Sequence, residues 1–147
     1  MEIAILGLGC FWGPEIKFSK IEGVIKTEVG YCGGNSPTTN YKEVCTGKTN
    51  HAEVVKIDFD EKIITYEKIL KIFFQIHDPT TLNSQGPDFG TQYRSEIFYL
   101  NDQQKEIAEK IIKEENTKFS GKIVTKTSLV KNYCPAEEYH QKYLEKR

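Results

Sequence analysis

Gly9-Cys10-Phe11-Trp12-Gly13 is the segment that most constrains how this chain can fold. The apolar run Ile3-Ala4-Ile5-Leu6 before it suits a buried strand. Pro14-Glu15 after it suits a helix start, because proline fits the first helical turn and an acid there meets the positive end of the macrodipole. A strand must therefore hand over to a helix within a few residues, around a thiol set among glycines and two large rings. That placement puts Cys10 near the positive end of the helix and predicts a thiol pKa below the free value of about 8.5. The plain alternative is a buried structural cysteine in a tight turn. Phe11 and Trp12 argue against it, since a connection that only changes direction has no use for two rings. They suit an apolar seat beside a nucleophile.

The remaining pattern predicts alternating strands and helices. Glu2–Leu6 reads as the first strand, Pro14–Lys20 as a short helix and Val24–Val29 as the second strand. Residues 31–50 and 79–92 read as long loops, which in compact domains are often functional. In Glu53–Phe59, Val55, Ile57 and Phe59 alternate onto one face of a half-buried strand. Thr65 is the expected N-cap of a helix whose buried stripe runs through Tyr66, Ile69, Leu70, Phe73 and His77. Glu96–Leu100 reads as a strand, and Asp102 as the cap of a helix buried along Ile107, Ala108, Ile111 and Ile112. Ile123–Val130 supplies one or two strands, and Pro135 opens a final helix. The order β-α-β-β-α-β-α-β suggests an α+β fold, a two-layer α/β sandwich around a mixed sheet.

The stretch Gly9-Cys10-Phe11-Trp12-Gly13-Pro14-Glu15 resembles the active-site signature of the peptide methionine sulfoxide reductase A family. Gly30-Tyr31-Cys32-Gly33-Gly34, Tyr41-Lys42-Glu43-Val44-Cys45 and His51-Ala52-Glu53 resemble the same family in the same order. So do His77-Asp78-Pro79-Thr80, Gly90-Thr91-Gln92-Tyr93-Arg94-Ser95 and Pro135-Ala136-Glu137-Glu138-Tyr139-His140-Gln141. The resemblance spans nearly the whole chain. It implies a ferredoxin-like core, one catalytic domain over 1–147, and thiol-dependent reduction of the S epimer of methionine sulfoxide, protein-bound and free, without a cofactor.

Such a reaction needs a nucleophile for the sulfoxide sulfur, a proton for its oxygen, donors around that oxygen and an apolar seat for the methyl group. Cys10 is the candidate nucleophile, forming a sulfenic acid that another thiol can resolve. Phe11 and Trp12 would seat the methyl group. The resemblance assigns Glu53 as the acid, and burial beside rings would keep it protonated. It assigns Tyr41 and Tyr93 as donors to the oxygen, and Asp88 as an acid that orders water or orients a tyrosine. Each has an ordinary reading as well: a strand-edge glutamate, core or rim tyrosines, a turn aspartate.

Many members of this family carry a resolving cysteine in a glycine-rich tail, which the segment after Gln141 does not resemble. Cys134 is the candidate resolving thiol within the chain. The alternative, favoured here, is a one-cysteine cycle in which glutathione or glutaredoxin reduces Cys10 directly; thioredoxin is the third candidate reductant.

Charge and cysteine spacing exclude other classes. A net charge of −1 over 147 residues gives no reason to expect nucleic acid or membrane partners, and no apolar run approaches a membrane span, so a cytoplasmic protein is expected. The four cysteines contain no C-x-x-C pair, so no metal site is expected. Gly7-Leu8-Gly9 starts like a dinucleotide-binding turn, but Trp12 fills the position that must be small. Two rivals remain: a cysteine hydrolase pairing Cys10 with His51, His77 or His140, and a noncatalytic ferredoxin-like module binding metal through cysteines.

Overall fold

The computed structural model describes residues 1–146. Strand β1 (Glu2–Leu8) lies inside a six-stranded sheet and leads into helix α1 (Trp12–Ser19). β2 (Val24–Cys32) follows, then the one-turn helix α2 (Tyr41–Val44), β3 (Ala52–Phe59) and α3 (Tyr66–Gln75). A small hairpin, β4 (Ser84–Gln85) and β5 (Asp88–Phe89), precedes β6 (Ser95–Tyr99). Helix α4 (Asp102–Asn116), β7 (Lys126–Leu129) and β8 (Cys134–Pro135) complete the order.

The sheet runs β7-β6-β1-β3-β2-β8. Its centre, β6-β1-β3-β2, is antiparallel throughout and is connected as β-α-β-β-α-β, which is the ferredoxin-like arrangement expected. β7 extends it in parallel beside β6, and this makes the sheet mixed. The strand parity read from the sequence holds. Val55, Ile57 and Phe59 are fully buried on the helix-covered face with Ala4, Leu6 and Leu8, and Phe18, Ile69, Leu70, Phe73, Ala108 and Ile111 come from the helices. The opposite face buries Ile5, Cys32, Val54 and Phe98, with Val130 and Tyr133 packed against them.

Local chemistry explains most boundaries and corrects some. Thr65 caps α3 by accepting from the Lys68 amide at 3.1 Å. α3 stops at Gln75, and His77 turns back onto the Phe73 carbonyl instead of continuing the stripe. The cap of α4 is Asn101, not Asp102: its side chain accepts from the Gln104 amide at 2.9 Å, and Asp102 sits in the first turn. The long loops are less bare than expected, since α2 lies within 31–50 and the hairpin within 79–92.

Pro135 does not open a helix. Cys134–Pro135 pairs with Gly30 and Tyr31 as an edge strand, and among the described residues the chain beyond it forms only the 3₁₀ turn Glu138–His140 and an isolated turn in which the Lys146 amide donates to the Lys142 carbonyl at 3.1 Å. Gly30 permits this approach, because a Cβ there would lie 2.7 Å from the Cys134 carbonyl oxygen. The chain then continues the pairing with side chains: Gln141 accepts from the Val29 amide and donates to its carbonyl, both at 2.9 Å. Buried Glu15 of α1 accepts from the Lys142 amide at 2.7 Å. The C-terminal segment is thus tied down across the Cys10 turn by contacts that have no helical period.

Candidate active site

β1 ends at Leu8, and Gly9 takes φ +96°, a left-handed conformation that L side chains rarely adopt. This turns Cys10 to the sheet end, at the N-terminus of α1. Glu53 shares the inward parity of Val55, Ile57 and Phe59, which brings its carboxyl under the same turn, 1% exposed. The Phe11 amide donates to Glu53 Oε1 at 3.3 Å, while Oε2 is buried with no hydrogen-bond partner. Burial, and secondarily the charge of Asp88, push the Glu53 pKa up to about 8, against the pull of the Phe11 amide. The carboxyl expected at a strand edge or in the site is thus a buried one, held toward its protonated form.

The expectation for Cys10 is reversed. Its thiol pKa is pushed up to about 11, first by burial and then by the charges of Glu53 and Asp88. The Trp12 amide at the start of α1, beside the sulfur, opposes this without overcoming it. An eight-residue helix end cannot offset loss of water around a thiolate with no cation beside it. At neutral pH the site therefore rests as a neutral thiol beside a neutral carboxyl.

Two phenols stand over this pair. Tyr41 opens α2, whose Asn40 cap accepts from the Glu43 amide, and Tyr93 closes the 3₁₀ turn Thr91–Tyr93. The Tyr41 hydroxyl stands beside the Cys45 thiol and the Tyr93 hydroxyl. Burial pushes the Tyr93 pKa up to about 12 and that of Tyr41 higher still, so both keep their O–H protons. Asp88, on β5, reaches Cys10, Glu53 and Tyr93 with its charge. The sequence-predicted Cys10, Glu53, Tyr41, Tyr93 and Asp88 thus converge at one sheet end.

Phe11 and Trp12 differ from one another. Phe11 is 1% exposed and joins the core against Tyr31, at a ring separation of 5.8 Å. Trp12 is half-buried and stacks on Tyr143 at 3.7 Å. Its indole N–H donates to Nδ1 of His140 at 3.1 Å. That bond fixes the neutral His140 tautomer with its proton on Nε2, which is buried without a partner.

Sequence reasoning treated His140 only as a rival base and missed this role; its signal was the lone tryptophan, which needs an acceptor when buried. It also missed Glu137, which accepts from the Tyr31 hydroxyl at 2.8 Å and the Tyr41 amide at 2.9 Å. Nor did it place Cys45, whose thiol sits beside Tyr41. Cys134 lies on β8 opposite Tyr31, its thiol toward the Thr39 carbonyl at 3.7 Å, and Cys32 is buried on the opposite face of the sheet.

The rivals fare poorly. His51 is engaged by the Ser36 carbonyl, His77 by Phe73 and Ser95, and His140 by Trp12. The groups that act on the Cys10 thiol are the Trp12 amide, Glu53 and Asp88, with no histidine among them. The described residues contain no cluster of three or more His, Cys, Asp or Glu that could hold a metal ion. No helix among them is long and apolar enough to cross a membrane.

A thiol paired with a proton-bearing carboxyl, under two phenols and against an aromatic wall, defines a thiol-dependent oxidoreductase site on an α+β scaffold. The family model for peptide methionine sulfoxide reductase matches residues 2–147. The peptide methionine sulfoxide reductase MsrA of Pelagibacter ubique (strain HTCC1062) is 82% identical over 147 residues, covering 100% of both chains. The reduced form of Mxr1 from Saccharomyces cerevisiae superposes with a TM-score of 0.95 at 43% identity, over 99% of this chain and 85% of that one. Mxr1 in complex with Trx2 superposes with a TM-score of 0.70 at 28% identity, over 97% of this chain and 84% of that one. This chain belongs to the peptide methionine sulfoxide reductase family.

Proposed function

We propose that residues 1–147 act as one catalytic domain that reduces methionine S-sulfoxide, in oxidised proteins and as the free amino acid, with thiols as the electron source. The observation that carries this is Glu53: a carboxyl buried beside the nucleophile, protonated to about pH 8, with Oε2 unspent. Only a reaction that must deliver a proton beside a thiol needs such a group there.

The substrate's S–O bond is polarised with its positive end on sulfur. Seated with sulfur toward Cys10 and oxygen toward Glu53, Tyr41 and Tyr93, it favours the thiolate that the resting site disfavours. Glu53 delivers its proton to the oxygen as the Cys10 sulfur attacks the substrate sulfur, and the proton lost by the Cys10 thiol returns to the Glu53 carboxylate, so the acid ends the step as it began. Oxygen passes to Cys10, releasing methionine and leaving Cys10 as a sulfenic acid. An external thiol then attacks the sulfenic sulfur, water leaves, and a mixed disulfide forms. A second thiol frees Cys10 and carries away the oxidised pair. Glutathione or glutaredoxin fits a one-cysteine cycle, and the relative solved with a thioredoxin supports thioredoxin as another reductant. Cys134, bonded at the β8 edge, stands as the alternative resolving thiol. Trp12 and the exposed edge of the aromatic cluster receive the methyl group.

The test is turnover of a methionine sulfoxide peptide with dithiothreitol, resolved by epimer, for the wild type and Cys10→Ser. The S epimer is consumed by the wild type and neither epimer by the variant. Substantial turnover by Cys10→Ser overturns the assignment.

A further inference from the structure

The β4–β5 hairpin backs onto the Cys10 turn and is hydrogen-bonded to the segments around it. A Cβ on Gly9 would lie 2.8 Å from the Gln85 side chain, so the hairpin abuts the residue before Cys10. Gln85 accepts from the Asp78 amide at 2.9 Å and donates to the Asp78 carbonyl at 2.8 Å. The Gly90 amide closes the loop onto the Asn83 carbonyl at 2.9 Å. On β5 the charge of Asp88 reaches Cys10, while the adjacent Phe89 is 77% exposed; Leu82, in the same loop, is 64% exposed. A pinned hairpin that keeps a phenylalanine in water forgoes burial the fold could have used, and apolar surface beside a site marks a binding edge.

We infer that Phe89 and Leu82 bind the polypeptide that flanks the oxidised methionine, which makes them specificity residues for protein-bound sulfoxide with apolar neighbours. The inference rests on the reductase reading above. In that reading one oxidised side chain reaches Cys10, so the rest of a protein substrate passes over the surrounding surface, and on the Asp88 side that surface is this hairpin. Both residues are exposed, so their replacement leaves the core untouched.

The experiment compares wild type, Phe89→Ser, the Phe89→Ser/Leu82→Ser pair and Leu129→Ser. Leu129 is an equally apolar exposed residue at the far end of β7. Substrates are free methionine sulfoxide, a peptide with leucines on both sides of the sulfoxide, and one with glycines there, with dithiothreitol as reductant. The hairpin variants should lose about tenfold in kcat/KM on the leucine peptide, through KM, the scale expected for one lost aromatic contact. Free sulfoxide, the glycine peptide and Leu129→Ser should stay within about twofold of wild type. Equal losses on all substrates would mean that the hairpin only props the Cys10 turn, and no loss on the leucine peptide would mean that nothing docks there; either overturns the inference alone. A defect seen with thioredoxin but not dithiothreitol assigns the edge to the reductant and also overturns it. Wild-type protein inactive on every substrate would overturn the reductase reading itself.

Discussion

Glu53 Oε1 accepts the Phe11 amide at 3.3 Å, so the acid is bonded to the residue that follows the nucleophile. The bond orients the carboxyl and leaves Oε2 for the substrate. Glu53→Gln keeps the amide acceptor and the shape but cannot give up a proton as an acid. The chemical step should slow by roughly two to four orders of magnitude, with KM little changed. Single-turnover kinetics measure it, and a rate within a few-fold of wild type would make Glu53 a structural residue only.

The same substitution should stabilise the protein at alkaline pH. The folded-state pKa of Glu53, about 8, lies above the ordinary carboxyl value, so the folded protein holds this proton more tightly than the unfolded chain does. That stabilisation is complete below the ordinary carboxyl range and is lost as pH rises toward about 8. Glutamine has no such loss. The Tm of Glu53→Gln minus that of wild type should grow between about pH 5 and about pH 8.5. A constant difference would show that the carboxyl is not held protonated.

Cys10 should resist alkylation at neutral pH. With its thiol at about 11, the iodoacetamide rate should climb through pH 9 without levelling. In Glu53→Gln the climb should begin at lower pH, because one of the charges opposing the thiolate is gone. A plateau near pH 8 in wild type would restore the low-pKa reading of the helix end.

His140→Phe should show what the Trp12 bond contributes. The ring remains, but the indole N–H loses its acceptor. We expect a loss of about 1–3 kcal/mol in stability and a rise in KM larger than the fall in kcat. The emission of the chain's one tryptophan should shift. Burial holds the His140 pKa below its ordinary value, so wild-type emission should stay constant through neutral pH. Unchanged emission in the variant would show that the bond does not set the Trp12 environment.

Recycling separates the thiols. The variant with Cys32, Cys45 and Cys134 all replaced by serine should sustain multiple turnovers with dithiothreitol and with glutaredoxin. A single stoichiometric burst, rescued by restoring Cys134, would assign that residue as the resolving thiol. Rescue by Cys45 would assign it instead to the thiol beside Tyr41.

Much of this protein was determined by local sequence. Alternation in β3 fixed which face Glu53 shares with Val55, Ile57 and Phe59, because side-chain parity along a strand is set by the backbone. Gly9 and Pro14 fixed the turn that presents Cys10, since few residues tolerate a positive φ and proline is tolerated in the first turn of a helix. Tertiary structure alone decided the electrostatics and the C-terminal cover. The helix end read locally argued for an acidic thiol, but a pKa sums everything that removes water or adds charge, and the burial and acids around Cys10 come from distant segments. Likewise, no periodicity announces that Gln141 will bond the backbone of Val29, or that His140 will receive Trp12 across 128 residues. Those contacts are made by single side chains on an irregular segment, where position depends on what the rest of the fold leaves unpaired.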